Sequence, residues 1–121
     1  MQFKDLQLNK PILRAISEKG YSIATPVQQL TIPLVLAKKD VIASAQTGTG
    51  KTAAFALPIL QLLFDKQDSS KKGKKIRALI VSPTRELALQ IEENFSTYAK
   101  YTKLTSTVIF GGASIEPQKD V

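Results

Sequence analysis

The chain has 121 residues, 43% of them hydrophobic, which allows one domain with a modest core and no more. Seventeen Lys plus Arg against ten Asp plus Glu leave +7, which suits a polyanionic partner, nucleic acid before an anionic membrane, although lysine far outnumbers arginine and much of this charge can be plain solvated surface. With no cysteine and no histidine, the sequence excludes a disulfide framework, a thiolate metal site and histidine acid–base chemistry.

No apolar run approaches the ~20 residues needed to cross a bilayer. Met1-Gln2-Phe3-Lys4-Asp5 meets charge too early for a signal segment. These features fit a reducing, cytoplasmic setting with no membrane partner.

Taken in chain order, the first helix opens at Asn9, a good N-cap, with Pro11 in its first turn and Gly20 past its end. Ile12, Leu13 and Ile16 form its apolar stripe. Thr25-Pro26 opens a second helical piece, which Pro33 is expected to kink or restart before Lys38. Val41-Ile42-Ala43 reads as a short buried strand. The helix from Gly50 carries Ala53, Ala54, Phe55, Leu57, Ile59 and Leu60, nearly apolar all round, and is expected to be largely buried. Residues 65–75 are polar and lysine-rich and read as a solvated, disordered loop. Lys71, Lys72, Lys74 and Lys75 within it lack interleaved aromatics or arginine, so they add non-specific attraction at most.

Residues 76–82 form a second strand, whose continuous run Ala78-Leu79-Ile80-Val81 predicts burial on both faces. A helix over 85–101 follows, with Leu87, Ala88, Ile91, Phe95, Tyr98 and Ala99 on one face and Gln90 turned to solvent. A third strand over 106–110 ends in Gly111-Gly112. Helices alternating with apolar strands imply right-handed βαβ units, an α/β class with a parallel sheet and helices on both faces.

One segment carries chemistry by itself. Residues 45–52 read AQTGTGKT, a phosphate-binding loop placed between a strand and a helix. Its backbone spans Ala45, Gln46, Thr47, Gly48, Thr49 and Gly50. The N–H groups of Gly48, Thr49, Gly50 and Lys51 converge on phosphate oxygens, and the positive end of the helix adds to the attraction. Lys51 meets the β- and γ-phosphates, and the Thr52 hydroxyl ligates Mg²⁺. Glycine is required at 48 and 50, where the chain takes unusual dihedrals and phosphate approaches the backbone. Ala45 stands where a glycine is more familiar.

Four patterns stand in one order: Phe3 with Gly20-Tyr21-Ser22-Ile23-Ala24-Thr25-Pro26-Val27-Gln28; AQTGTGKT; Pro83-Thr84-Arg85-Glu86-Leu87-Ala88; and Gly111-Gly112. The chain thereby resembles the N-terminal part of a DEAD-box RNA helicase, nearest the bacterial RhlE type, over essentially its whole length. The resemblance implies a partial RecA-like P-loop NTPase domain, with residues 1–29 as the Q-motif region and 30–121 as the start of the ATP-binding domain. It implies ATP and Mg²⁺ as cofactors and RNA as partner, held through its backbone without sequence specificity.

By that resemblance Gln28 reads adenine, since its amide can accept from N6 and donate to N7. Phe3 stacks on the base, and Tyr21 and Thr25 line the same region. Against this, Gln28 alone reads as an exposed helix residue and Phe3 as core. Pro83, Thr84 and Arg85 resemble an RNA-contacting motif at a strand-to-helix junction, with Gly111 and Gly112 letting an RNA backbone come close. Thr84 is equally a helix cap. The family's Asp-Glu-Ala-Asp and Ser-Ala-Thr motifs and its second domain do not occur in these 121 residues, so the expectation is binding without hydrolysis by this piece alone, with Val41 to Ala43 exposed along one edge. A P-loop NTPase without nucleic acid, and a non-catalytic binding module, remain the alternatives.

Overall fold

A computed structural model describes residues 1–46, 48, 50–66 and 76–109. A 3-10 turn over Phe3–Leu6 precedes α1 (Lys10–Glu18), α2 (Pro26–Leu36), α3 (Lys51–Asp65) and α4 (Arg85–Tyr98).

Helix α1 starts as its cap requires, with Asn9 Oδ1 accepting from Ile12 N at 3.1 Å. The chain leaves it through Gly20 at φ 83°, a left-handed conformation that glycine adopts without steric cost. Ile12, Ala15 and Ile16 form its buried face. Asn9 N also donates to Gln61 Oε1 at 2.6 Å, while Gln61 Nε2 donates to the Asp65 carboxylate at 2.9 Å. Both ends of the Gln61 amide are thus paired, which lets a polar side chain lie buried in an otherwise apolar helix.

Helix α2 continues through Pro33 to Leu36 without restarting. An internal proline removes one backbone bond and crowds the turn before it, at a cost of about 3 kcal/mol. Full burial of the neighbouring Ile32 in the core offsets much of that. Helices α2 and α3 lie side by side in the same direction. Gln28 near the start of α2 bonds to Gly50 at the start of α3. Beyond their other ends Lys38 stands beside Lys66 and lowers the pKa of its ammonium.

The core is centred on α3. Ala53, Ala56, Leu57 and Leu60 pack with Ile12 and Ile16 of α1, Ile32 of α2, Phe95 and Tyr98 of α4, and Phe3 and Leu6 of the N-terminal turn. Phe55 meets Phe95 with ring centroids 6.2 Å apart and planes tilted by 43°. Only the second half of α4 is buried. Phe95, Tyr98 and Ala99 are inside, while Leu87, expected on the same face, is exposed.

The expected strands are the main departure. A strand exists through its ladder, and residues 41–43, 76–82 and 106–109 belong to no ladder. Among the described residues the β pairing is one antiparallel bridge, Gln2 with Ile23. Most of the apolar side chains of these runs therefore face solvent, with Val41 and Val108 half-buried. Ile76 is 92% exposed, Leu79 83% and Val81 83%, where the sequence predicts burial, and Ile42 is 102% exposed in the run expected to be open along one edge.

Candidate functional site

The N-terminal ends of α2 and α3 meet around a single side chain. Gln28 is the third residue of α2, and Thr25, the residue before that helix, has extended backbone at φ −71° and ψ 164°. Gln28 Oε1 accepts from Thr25 N at 2.9 Å, and Gln28 Nε2 donates to Gly50 O at 3.2 Å. Gln28 is 4% exposed, so these bonds satisfy a buried amide that would otherwise be costly. Thr25 Oγ1, buried beside it, has no hydrogen-bond partner.

Gly48 and Gly50 both take positive φ, at 86° and 82°. Positive φ at these positions is the backbone that a phosphate-cradling turn calls for. A Cβ on Gly50 would fall 2.2 Å from Gln28 Nε2, so glycine there is needed for contact as well as for φ. Lys51 and Thr52 open α3 directly after this turn, with Lys51 exposed and Thr52 half-buried. Ala45 is half-buried and Gln46 exposed, while Thr47 and Thr49 lie outside the described residues.

The other predicted residues separate from this centre. Phe3 is 3% exposed and packed in the core, the plain reading of that position, and its N–H holds Ser22 O at 3.1 Å. With Ala24 N donating to Met1 O at 2.9 Å, it fixes the segment that leads into Thr25. Tyr21 is 48% exposed, with Lys19 Nζ 5.8 Å from its ring centroid. At the start of α4, Thr84 Oγ1 accepts from Leu87 N at 3.2 Å, so the cap reading of Thr84 holds. Pro83 and Arg85 are exposed around that helix end. Gly111 and Gly112 lie outside the described residues.

Sequence reasoning missed the Gln28–Gly50 bond and a cluster joining α1 to α4. There Glu18 accepts from Lys100 Nζ at 3.2 Å and from the Tyr101 hydroxyl. These two donors, Tyr101 first, hold the Glu18 carboxyl below its ordinary 4.5. No local signal could reveal a pair 83 residues apart in the chain.

A positive-φ glycine turn opening a buried helix, tied to a glutamine of the preceding helix, is the turn of a P-loop nucleotide-binding domain. The family is narrower still. Residues 25–121 match the DEAD/DEAH box helicase family, and the chain belongs to it.

The chain is 47% identical over 118 residues to the ATP-dependent RNA helicase CshA of Limosilactobacillus reuteri, covering 98% of this chain and 22% of that protein. It is 48% identical over 118 residues to the probable ATP-dependent RNA helicase ddx27 of Dictyostelium discoideum, covering 97% and 15%. Its backbone superposes on the crystal structure of the RNA helicase Prp28 from Chaetomium thermophilum bound to ADP with a TM-score of 0.85, at 37% identity, over 98% of this chain and 28% of that one. The chain thus spans less than a third of each of these proteins. The superposition establishes the RecA-like α/β class, although the described residues close no sheet. Bacterial and eukaryotic relatives stand at similar identity, so the similarity fixes the family and not the RhlE branch.

Proposed function

We propose that this chain is the ATP- and RNA-binding part of an ATP-dependent RNA helicase that separates short RNA duplexes. The observation that carries the reading is the Gln28 amide, bonded at once to Thr25 N and to Gly50 O. A primary amide offers two acceptor lone pairs and two N–H donors. After its internal bonds Gln28 keeps one of each, which matches the N6 donor and N7 acceptor on one edge of adenine. Guanine presents O6 in place of the N6 donor and forfeits a bond.

The residues of the turn fit the group they are to hold. The positive-φ glycines open a cradle at the positive end of α3, and the exposed Lys51 ammonium brings charge to phosphate. Thr52 would supply a hydroxyl ligand for Mg²⁺, whose chemistry there would be to offset negative charge on the phosphates. Thr25 Oγ1, buried without a partner, lies beside the same turn, 3.5 Å from the position of a Gly50 Cβ. Phe3 acts here by fixing the segment before Thr25.

RNA is held at the start of α4, where the helix end and Arg85 face phosphate oxygens, together with Gly111-Gly112. These are contacts to the sugar–phosphate backbone, indifferent to base sequence. The finer placement beside the bacterial RhlE type rests on the motif pattern of the sequence alone, from Phe3 through AQTGTGKT to Pro83-Thr84-Arg85. A cytoplasmic location is supported by a sequence without cysteine.

ATP turnover by the full-length protein, with and without RNA, tests the reading. Turnover should rise with RNA, and Lys51→Ala should abolish it while leaving the circular dichroism unchanged. Turnover indifferent to RNA would replace the reading with a P-loop NTPase of another kind. Binding with no turnover in any condition would replace it with a binding module.

A further inference from the structure

Helix α2 ends on a lysine where glycine would be less strained. Lys38 follows the cap residue of α2 and takes φ 62°, a left-handed backbone that is costly for any residue with a Cβ. Its N–H donates to Val35 O at 2.8 Å, and the Lys39 N–H donates to Leu34 O at 3.0 Å. This pair of bonds is the helix ending that glycine ordinarily supplies. On the neighbouring helix Lys66 is the cap residue of α3, its N–H donating to Leu62 O at 3.3 Å. The Lys38 side chain reaches the Lys66 ammonium and lowers its pKa, with Arg77 adding a smaller share. Lys38, Lys66 and Arg77 are all exposed.

A cation at a helix C-terminus complements the helix dipole, which accounts for one lysine on each helix. It does not account for the rest. A lysine in the last turn, at ordinary φ, would serve the dipole as well, and neither helix gains from two ammoniums set against each other. No carboxylate relieves them among the described residues. The ion pair there is Glu18 with Lys100, and both oxygens of Asp65 accept from Gln61 Nε2 at 2.9 Å. Asp40, close by in sequence, pairs with neither lysine. Backbone strain and repulsion held together at an exposed place are what an anionic ligand would offset, since a phosphate oxygen accepts from both ammoniums at once.

We propose that the C-terminal ends of α2 and α3 hold phosphates of an RNA backbone through Lys38 and Lys66, with Arg77 beside them. The inference rests on the helicase reading above, which supplies RNA as the polyanion. The nucleotide turn and the start of α4 use none of these side chains. Helix α3 has 15 residues, which sets this end about 22 Å from the nucleotide turn. A nucleotide held at the turn is therefore out of reach of these lysines. Amines that meet phosphates alone are indifferent to base sequence.

The test uses the full-length protein and a fluorescein-labelled RNA hairpin with a single-stranded tail, titrated at several salt concentrations. Lys38→Gly removes the ammonium and relieves the left-handed backbone, so it should raise the melting temperature and yet weaken RNA binding. It should also flatten the slope of log K against log[salt] by about 0.7. Lys66→Gln should weaken binding and flatten the slope in the same way. Both variants should keep wild-type affinity for ATP. If both keep wild-type RNA affinity and salt slope while RNA still stimulates ATP turnover, the lysines are helix ends only and the inference fails alone. If both keep RNA affinity but sediment less with phosphatidylserine vesicles than wild type does, the anion is a membrane surface and the RNA contact is wrong. If wild type neither binds RNA nor responds to it, both the inference and the helicase reading fall.

Discussion

Gln28 Nε2 donates to the Gly50 carbonyl at 3.2 Å, and the same oxygen accepts the first helical bond of α3 from Ala54 N at 3.1 Å. Both acceptor positions of that carbonyl are therefore filled, one by α2 and one by α3. The orientation of the turn that opens α3 is set from the helix before it. On the proposed function, a base read by Gln28 and a phosphate held by the turn would be joined through a single peptide unit.

This bond separates two glycines of nearly equal φ. Gly50→Ala would place a Cβ 2.2 Å from Gln28 Nε2 at φ 82°, whereas Gly20→Ala at φ 83° meets nothing within 4 Å. Each alanine incurs a left-handed backbone cost of roughly 1–2 kcal/mol. Only the first expels the Gln28 amide. In the full-length protein both variants should melt earlier, and only Gly50→Ala should lose ATP affinity. Equal affinities in a pair of ATP titrations would show that the contact has no bearing on the nucleotide.

How far these features could be read in advance depended on how local they are. The caps at Asn9 and Thr84, the exit at Gly20 and the turn at Gly48 and Gly50 are each set within a few residues, and all stand where the sequence predicts. The strands were legible only as apolar runs. Val81 is 83% exposed because burial of a strand requires a partner in register, which composition cannot supply. Pro33 was expected to kink or restart α2 on a local rule, and the helix runs on through it to Leu36. Phe3 carries two readings: the family pattern sets it against a base, and its burial sets it in the core. Glu18 and Tyr101 come together only through the packing of α1 on α4.

The junction before α4 divides into two independent roles. Thr84→Ala removes the acceptor for Leu87 N and should cost about 1 kcal/mol of stability. Arg85→Ala should flatten the salt dependence of RNA binding by about 0.7 in log–log slope, evenly across RNA sequences. Melting curves and salt titrations on the full-length protein check the division. A loss that varies with RNA sequence would mean that Arg85 reads bases.

The Glu18 cluster predicts a pH effect of definite sign. Its carboxyl is held below its ordinary 4.5, chiefly by the Tyr101 hydroxyl and then by Lys100. A group depressed in the folded state contributes stability above its unfolded pKa and loses it as pH falls through the folded value. Tyr101→Phe removes the first donor, so the gap in melting temperature between wild type and variant should be full near neutral pH and close below 4.5. A gap that persists unchanged in acid would assign the effect to packing of the ring.

Base discrimination by the full-length protein bears most directly on the role of Gln28. ATP and GTP are titrated against wild type and Gln28→Ala, with the fold checked by circular dichroism on the same samples. Wild type should favour ATP by about 1–3 kcal/mol, the worth of one base-edge hydrogen bond, and Gln28→Ala should bind both more weakly with the preference gone. Equal affinity of wild type for ATP and GTP would contradict the account.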